Sequence, residues 1–214
     1  MLFMEDIKLV VFDFNKTLVK ENTWYELNMA MGVTHEEDQK YLELFETGKI
    51  TYQEWWQHIK KIYDERGNAT KENIEKIVRN YTYVEGAKEI IEYLKEKGYT
   101  LALITGSMDV LAKDVAEELG IELYAGYNQL IFDHDHKLAR VVTHGTDHDF
   151  KADMLWKFCN QLDIRVDQAV CVGDGDNDTV LFEISKHGVT FTGSRVEDRA
   201  WKVIDKLEDL KGFL

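Results

Sequence analysis

The chain has 214 residues, a formal net charge of −14 at pH 7 and a hydrophobic fraction of 44%. This composition indicates a globular protein with one domain that carries an insertion, or with two small domains. The acidic charge argues against nonspecific binding to nucleic acid or to an anionic membrane, because both are negatively charged. The chain has 2 cysteines, no apolar run long enough to span a bilayer and no basic signal-peptide region in residues 1–8, so we expect a cytoplasmic protein.

Short apolar runs that are typical of strands buried on both faces recur along the chain. They cover residues 7–14, 99–105, 168–172 and 188–192. Segments with helical spacing of apolar side chains lie between and after these runs. They cover residues 85–97, 108–119, 151–162, 177–186 and 196–210. Strands that alternate with helices predict an α/β fold with a doubly wound parallel sheet.

Residues 19–84 interrupt this alternation, because they contain no convincing strand pattern. Thr34 with Glu37, and Thr51 with Glu54, fit the capping box that begins a helix. We therefore expect an all-helical cap inserted after the first strand. The predicted division is an α/β core of residues 1–18 and 85–214, with a helical cap domain of residues 19–84.

Residues 129–142 predict a β-hairpin that turns near His134 to His136. Further histidines follow at positions 144 and 148. Their spacing matches no metal-binding motif, so we interpret all of them as residues of solvated loops.

The first candidate site is Asp13 and the polar residues after it, at the end of the first predicted strand. Ligands of open α/β sheets bind outside the carboxyl ends of the strands, and a carboxylate at this point would meet such a ligand. An ordinary turn stabilised by the side chain of Asp13 or Asn15 explains the segment equally well.

The second candidate is Thr105-Gly106-Ser107, at the end of the second predicted strand. A hydroxyl group beside backbone N–H groups can hold a phosphate oxygen. The alternative is that Ser107 caps the helix that follows.

The third candidate is Lys151, which we expect in the first turn of a helix. A lysine is unfavourable there because it faces the positive end of the helix dipole, so an anionic partner is a natural explanation. The alternative is a solvated lysine.

The fourth candidate is residues 172–178, VGDGDND, between a predicted strand and a helix. Asp174, Asp176 and Asp178 would repel one another unless a hard cation with oxygen ligands lies between them. An EF-hand is excluded because Thr179 stands where its loop requires glycine. A dinucleotide-binding fingerprint is excluded because no third glycine follows.

Taken together and in this order, the segments VVFDFNKTLV, LALITGS, FKADML and VGDGDNDTVLF resemble the motifs of the haloacid dehalogenase-like (HAD) hydrolases. The helical insertion and the hairpin are similar to those of the phosphoserine-phosphatase-like branch. The resemblance implies a Rossmann-like core and a phosphatase that acts on a small phosphorylated metabolite, with no nucleic acid or membrane as partner. It leaves the oligomeric state open.

The resemblance also implies a role for each motif. Asp13 would attack phosphorus and form an aspartyl phosphate. Magnesium would be bound by Asp13, the backbone carbonyl of Asn15 and Asp174. The residues that would bind the phosphate are Thr105, Gly106, Lys151 and Asn177, while Asp178 would orient Lys151.

Asn15 departs from the family pattern, which has an aspartate that transfers protons to the leaving oxygen and from water. An amide cannot transfer protons in this way, so we expect slow turnover or a good leaving group. Two alternatives stay open: a protein that binds a phosphorylated ligand or partner without turnover, and a phosphotransferase.

The insertion also departs from the phosphoserine-specific pattern. Asn22, with Glu21 beside it, stands where those members have an acid, and residues 52–62 contain no arginine for the substrate carboxylate. The insertion is instead rich in aromatic residues, which either form its core or line a substrate pocket. These residues are Trp24, Tyr25, Tyr52, Trp55 and Trp56.

Overall fold

The computed structural model describes residues 6–143 and 145–214. Most of the N-terminal stretch that we considered for a signal peptide, and His144, lie outside the described residues. Contacts between residues divide the chain into two units. The core unit comprises Met1–Lys20, Thr82–Asn128 and Thr143–Leu214, and the helical unit comprises Glu21–Tyr81 and Gln129–Val142. The domain boundaries predicted from the sequence stay a prediction.

The helical unit contains four α-helices. They are α1 (Thr23–Ala30), α2 (His35–Glu46), α3 (Tyr52–Arg66) and α4 (Lys71–Val78). The two predicted capping boxes are present at the starts of α2 and α3. Inside this unit, Asn28 donates to Asp38 at 2.7 Å and accepts from the Tyr63 hydroxyl at 2.7 Å. This buried network joins three helices.

The predicted hairpin is also present, and its turn lies between Phe132 and Leu138. The second part of strand β3 (Leu123–Phe132) pairs antiparallel with β4 (Leu138–Val142). The Leu138 N–H donates to the Ala69 carbonyl, and the Lys71 N–H donates to the His136 carbonyl. These bonds attach the hairpin to the start of α4 within the helical unit.

The core unit is built on a parallel sheet with the strand order β3-β2-β1-β5-β6-β7. Its other strands are β1 (Leu9–Phe12), β2 (Thr100–Met108), β5 (Ala169–Val172), β6 (Gly188–Phe191) and β7 (Lys202–Ile204). The helices of this unit are α5 (Ala87–Glu96), α6 (Asp109–Leu119), α7 (Asp147–Gln161) and α8 (Thr179–Ser185). The predicted α/β fold with a Rossmann-like, mainly parallel sheet is confirmed.

The central strands are apolar because they are covered on both faces. Every residue of β1 is fully buried, as expected for a strand inside a parallel sheet. In the register, Phe12 lies beside Leu103 of β2 and Val172 of β5. The chain segments that follow these three strands therefore meet at one edge of the sheet.

Both cysteines lie in the apolar core of this unit and are free. Burial raises the pKa of the Cys159 thiol to about 11 and that of Cys171 to about 12. Both side chains are therefore neutral thiols that pack like small apolar groups.

The helix predicted for residues 196–210 is wrong. This segment forms β7 between two short 3₁₀ turns, Glu197–Arg199 and Leu207–Gly212. Val203 pairs with Thr190 of β6. Pairing with the preceding strand therefore overrides the local helical spacing.

No helix among the described residues combines the length and the apolar character that crossing a bilayer requires.

Candidate active site

Asp13 lies directly after β1, at the carboxyl edge of the sheet. Its backbone N–H donates to the Val172 carbonyl at 2.9 Å, and the residue is 5% exposed. The chain then turns sharply, because the Phe14 carbonyl accepts from the Leu18 N–H at 2.9 Å. Asn15 lies in this turn and is partly exposed. The Asp13 carboxylate is therefore fixed by the sheet, whereas Asn15 is held by a local turn.

Thr105 and Gly106 lie in the last part of β2, where the register with β3 becomes irregular. The Thr105 hydroxyl accepts from the Ser107 N–H at 3.0 Å. The Asn128 side-chain amide donates to the Gly106 carbonyl at 2.7 Å. Ser107 is not the cap of the next helix, since α6 is preceded by Met108. The segment is thus an irregular strand end held by polar side chains.

Lys151 is completely buried, so the alternative of a solvated lysine is excluded. Its ammonium donates to Asp13 Oδ1 at 2.8 Å and to Asp178 Oδ1 at 2.7 Å. The expected place of Lys151 in the first helical turn is wrong, because α7 begins at Asp147 with Thr146 as its N-cap. The carboxylates of Asp13 and Asp178 are the anionic partners of this lysine.

Asp178 uses both of its carboxylate oxygens within the protein. Oδ1 accepts from Lys151, and Oδ2 accepts from the backbone N–H groups of Asp174 and Gly175, each at 3.1 Å. A Cβ on Gly173 would lie 2.3 Å from the Asp178 carboxylate carbon, so only glycine fits there. Asp178 therefore orients Lys151 and the loop that carries Asp174.

The acidic side chains at this edge repel one another. Burial raises the pKa of Asp13 to about 8, and the charges of Asp178 and Asp174 add to this effect while Lys151 opposes it. Burial and Asp178 raise the pKa of Asp174 to about 6. Burial acts to lower the pKa of Lys151, but Asp13 and Asp178 outweigh it and raise the value. One lysine thus neutralises only part of the negative charge.

The donor set fits a hard divalent cation. One oxygen from each of Asp13, Asp174 and Asp178 lies within 4.8 Å of the others. Carboxylate oxygens are the ligands that magnesium and calcium prefer. A cation at this point would also relieve the repulsion between the acids.

Asn177 lies in the short 3₁₀ turn Asp176–Asp178 that precedes α8. Its side-chain amide nitrogen donates to Asp147 Oδ2 at 2.7 Å. The sequence interpretation missed Asp147, because it placed the start of the helix at Lys151. Thr146 with Asp149 forms a capping box, and this pattern was the signal for the true start.

Ser194 is a second residue that the sequence interpretation missed. Its hydroxyl donates to the Asp174 carbonyl at 2.9 Å. It thus holds the backbone of a candidate metal ligand from a loop that no motif marked.

The described histidines of the hairpin and loop belong to no cluster with metal-ligand geometry. His134 is highly exposed, and the His148 ring lies 3.1 Å from the Asp176 carbonyl. In the described parts of the chain, the acidic cluster at Asp13 is the site with metal-ligand geometry.

The five predicted cap aromatics are all partly buried. Trp56 makes edge contacts with Trp24 and with Tyr63, at ring distances of 6.3 and 5.8 Å. Tyr52 and Trp55 contact each other at 5.9 Å. They therefore serve at least in the packing of the helical unit, and a substrate-binding role stays a prediction.

Comparisons with known proteins find related hydrolases. Residues 10–183 match the family model described as haloacid dehalogenase-like hydrolase. The chain is 29% identical to the phosphoserine phosphatase of Methanocaldococcus jannaschii over 207 residues, which cover 97% of this chain and 96% of that protein. A solved phospho-aspartyl intermediate analogue of phosphoserine phosphatase superposes with a TM-score of 0.80 at 29% identity, covering 97% of this chain and 99% of the other. A substrate-bound phosphoserine phosphatase complex gives a TM-score of 0.81 at 27% identity, with the same coverage.

Proposed function

Because this chain belongs to the haloacid dehalogenase-like hydrolase family and is a phosphatase of that family, we propose that Asp13 is its nucleophile. The family resemblance inferred from the sequence motifs is confirmed. In the proposed reaction, an Asp13 oxygen attacks the phosphorus of a phosphomonoester, the bond from phosphorus to the ester oxygen breaks, and the departing alkoxide takes its proton from water. Water then hydrolyses the aspartyl phosphate and releases inorganic phosphate.

One observation carries the proposal: the buried Lys151 ammonium bridges Asp13 and Asp178 at the carboxyl edge of the sheet. A fixed ammonium beside a carboxylate can stabilise the negative charge that develops on a phosphoryl group during transfer. The same bond points one Asp13 oxygen at Lys151. Attack at a phosphoryl group bound beside Lys151 would thus start from an oriented carboxylate.

We propose magnesium as the cation, bound by Asp13, the backbone carbonyl of Asn15 and Asp174. The oxygen-only donor set supports this choice. When bound, magnesium neutralises negative charge and allows one anion to approach another. Asp178 would orient Lys151 and the loop of Asp174, since its oxygens accept from Lys151 and from two backbone N–H groups.

The phosphate would be held by Thr105, Gly106, Lys151 and Asn177. The hydrogen bonds at Thr105 and Gly106 support this role, because the Ser107 N–H and the Asn128 amide hold the end of β2 in place. The site then presents an ammonium, a hydroxyl and amide groups in a largely buried place, where each interaction with an anion is stronger than in water.

Asn15 limits the proton transfers of this reaction. A side-chain amide neither protonates a leaving oxygen nor deprotonates water, and general acid–base help is worth about 10²–10⁴-fold in rate. We therefore propose slow hydrolysis of ordinary alkyl phosphates and faster hydrolysis of esters whose alcohols leave unprotonated.

The proposed substrate is a small organic phosphate, with phosphoserine not favoured. The Asn22 side chain accepts from the backbone N–H groups of Trp24 and Tyr25, so it acts as the N-cap of α1 and carries no charge for an amino group. Arg66, at the end of α3, is paired with Glu37 at 2.8 Å. The neutral buried thiols are consistent with the reducing cytoplasm, which we propose as the location.

The test is phosphate release from a panel of phosphomonoesters with magnesium, with phosphoserine and p-nitrophenyl phosphate included. Wild type, Asp13→Asn and Asn15→Asp are compared after circular dichroism has shown that all three are folded. We expect release by wild type, none by Asp13→Asn, and a rise of about 10²–10⁴-fold for alkyl phosphates in Asn15→Asp. Release by Asp13→Asn at the wild-type rate would refute the proposal.

Asn15 also favours one second candidate, a protein that binds a phosphorylated ligand without turnover. Release by Asn15→Asp alone would support this candidate for the wild-type chain. If phosphate leaves the ester only when an added alcohol acceptor is present, the protein is a phosphotransferase.

A further inference from the structure

A hydrogen bond to Asp147 sets the orientation of the Asn177 side-chain amide. The amide nitrogen donates to Asp147 Oδ2 at 2.7 Å. The amide oxygen lies on the other side, 2.9 Å from the position that a Cβ on Gly175 would take. An ionised carboxylate only accepts hydrogen bonds, so it selects the nitrogen end of the amide.

The same carboxylate packs against the backbone of Gly106. A Cβ on Gly106 would lie 2.3 Å from Asp147 Oδ2 and 3.0 Å from Oδ1. Atoms at these distances overlap, so the close approach depends on glycine at position 106. Asp147 thereby sets the spacing between the end of β2 and the start of α7.

Asp147 is also four residues before Lys151 on α7, which is one helical turn. It is therefore on the same helix as the buried ammonium, and its charge favours the protonated form of that lysine. A single side chain thus relates three segments that the proposed function assigns to phosphate binding.

Stability alone does not explain this arrangement. Asp147 Oδ1 is buried, and no described residue donates a hydrogen bond to it. A buried acceptor without a donor is unfavourable for folding. Costly contacts of this kind are often retained at functional sites.

Building on the proposed function, we propose that Asp147 is a positioning residue of the phosphate site, which orients the Asn177 amide and holds Gly106 in place. It does not touch the reacting atoms. Its effect on the reaction is transmitted through Asn177 and the end of β2.

A double-mutant cycle tests this role. The variants are Asp147→Ala, Asn177→Ala and the double variant, and the control is Asp153→Ala, an exposed acid on the same helix. With p-nitrophenyl phosphate and magnesium, we expect Asp147→Ala to lower kcat/KM by about 10–100-fold, the usual effect of removing a residue that orients a ligand. In the Asn177→Ala background, the same substitution should have a smaller effect, because only the contact with Gly106 is then left to lose. Equal effects in both backgrounds would overturn the proposal.

A second measurement does not depend on turnover. In the metal-free protein, the ¹H–¹⁵N signals of the Asn177 side-chain amide are identified by their loss in Asn177→Ala. We expect Asp147→Ala and Asp147→Asn to move these signals, because a charge-assisted hydrogen bond is removed. Asp153→Ala should leave them in place. Unchanged signals in both Asp147 variants would overturn the proposal.

The two measurements separate the two inferences. If wild type releases no phosphate from any ester, the proposed function fails while the amide signals still decide the orientation of Asn177. If Asp147→Ala does not fold, Asp147→Asn keeps the shape of the side chain and serves in both experiments.

Discussion

Replacing Lys151 by methionine removes the only cation that we find paired with Asp13 and Asp178 among the described residues. Methionine keeps an apolar, flexible side chain, so the packing of the lysine stem is largely preserved. The two carboxylates then share a buried place without a counter-charge. Removing one partner of a buried ion pair typically costs about 3–5 kcal/mol.

The structure favours the lower end of this range. Asp178 keeps two backbone donors at 3.1 Å. Asp13, whose pKa burial already raises to about 8, can take up a proton and lose its charge. We therefore expect a loss of about 3 kcal/mol, which corresponds to a fall in Tm of roughly 6–12 °C for a chain of this size.

The assay is thermal unfolding followed by circular dichroism at pH 8 in a chelator, so that no divalent cation compensates for the lysine. Lys157→Met on the same helix, at an exposed position, is the matched control. The double variant Lys151→Met/Asp178→Asn should recover part of the loss, because one unpaired charge is gone. A Tm for Lys151→Met equal to that of Lys157→Met would refute the reasoning.

Three further substitutions test other parts of the structure. Gly106→Ala places a Cβ 2.3 Å from Asp147 Oδ2. The resulting displacement of ~1 Å at the phosphate site should lower kcat/KM by about 100-fold, and wild-type kinetics would contradict this. Tyr63→Phe leaves the buried Asn28 oxygen without the Tyr63 hydroxyl as its donor, so urea unfolding should show a loss of about 1–3 kcal/mol in the free energy of unfolding. An unchanged midpoint would show that the bond contributes nothing. Hydrogen bonds from Arg66 and from Thr34 lower the pKa of Glu37 from 4.5 to about 2. A lowered pKa stabilises the fold above the unfolded value, so the advantage of wild type over Glu37→Gln should vanish as the pH falls from 4.5 towards 2, whereas a constant difference would exclude this linkage.

The sequence predicted those parts of the fold whose pattern is local and continuous. The strands β1, β2, β5 and β6 were recognisable because strands buried on both faces have apolar residues at nearly every position. The starts of α2 and α3 were recognisable because a capping box is a bond between residues three apart.

The parts that could not be predicted depend on contacts between separate segments of the chain. Strand β7 has only three residues and exists because it pairs with β6. The attachment of the hairpin to α4 depends on backbone hydrogen bonds such as that from Leu138 to Ala69, and the side chains give no pattern that predicts these bonds. Such pairings are determined by tertiary structure.

The sequence predicted the motif residues of the candidate site, but it did not predict the contacts between them. The motif residues were identified through a family resemblance, and their roles stay predictions. The interpretation of Lys151 through the helix dipole was wrong, because the local pattern did not reveal that Asp13 and Asp178 converge on it. Asp147 went unnoticed for a related reason: its contacts with Gly106 and Asn177 join segments that are far apart in sequence.

The central claim is that Asp13 becomes phosphorylated, and chemical trapping tests it most directly. The enzyme is mixed with magnesium and the best ester of the panel, quenched in acid within one turnover and reduced with borohydride, which converts an acyl phosphate to an alcohol. Mass spectrometry of the peptide that contains residue 13 should then show homoserine in place of Asp13, and only when the ester is present. Phosphate release with Asp13 unmodified, or with homoserine at another aspartate, would contradict the account.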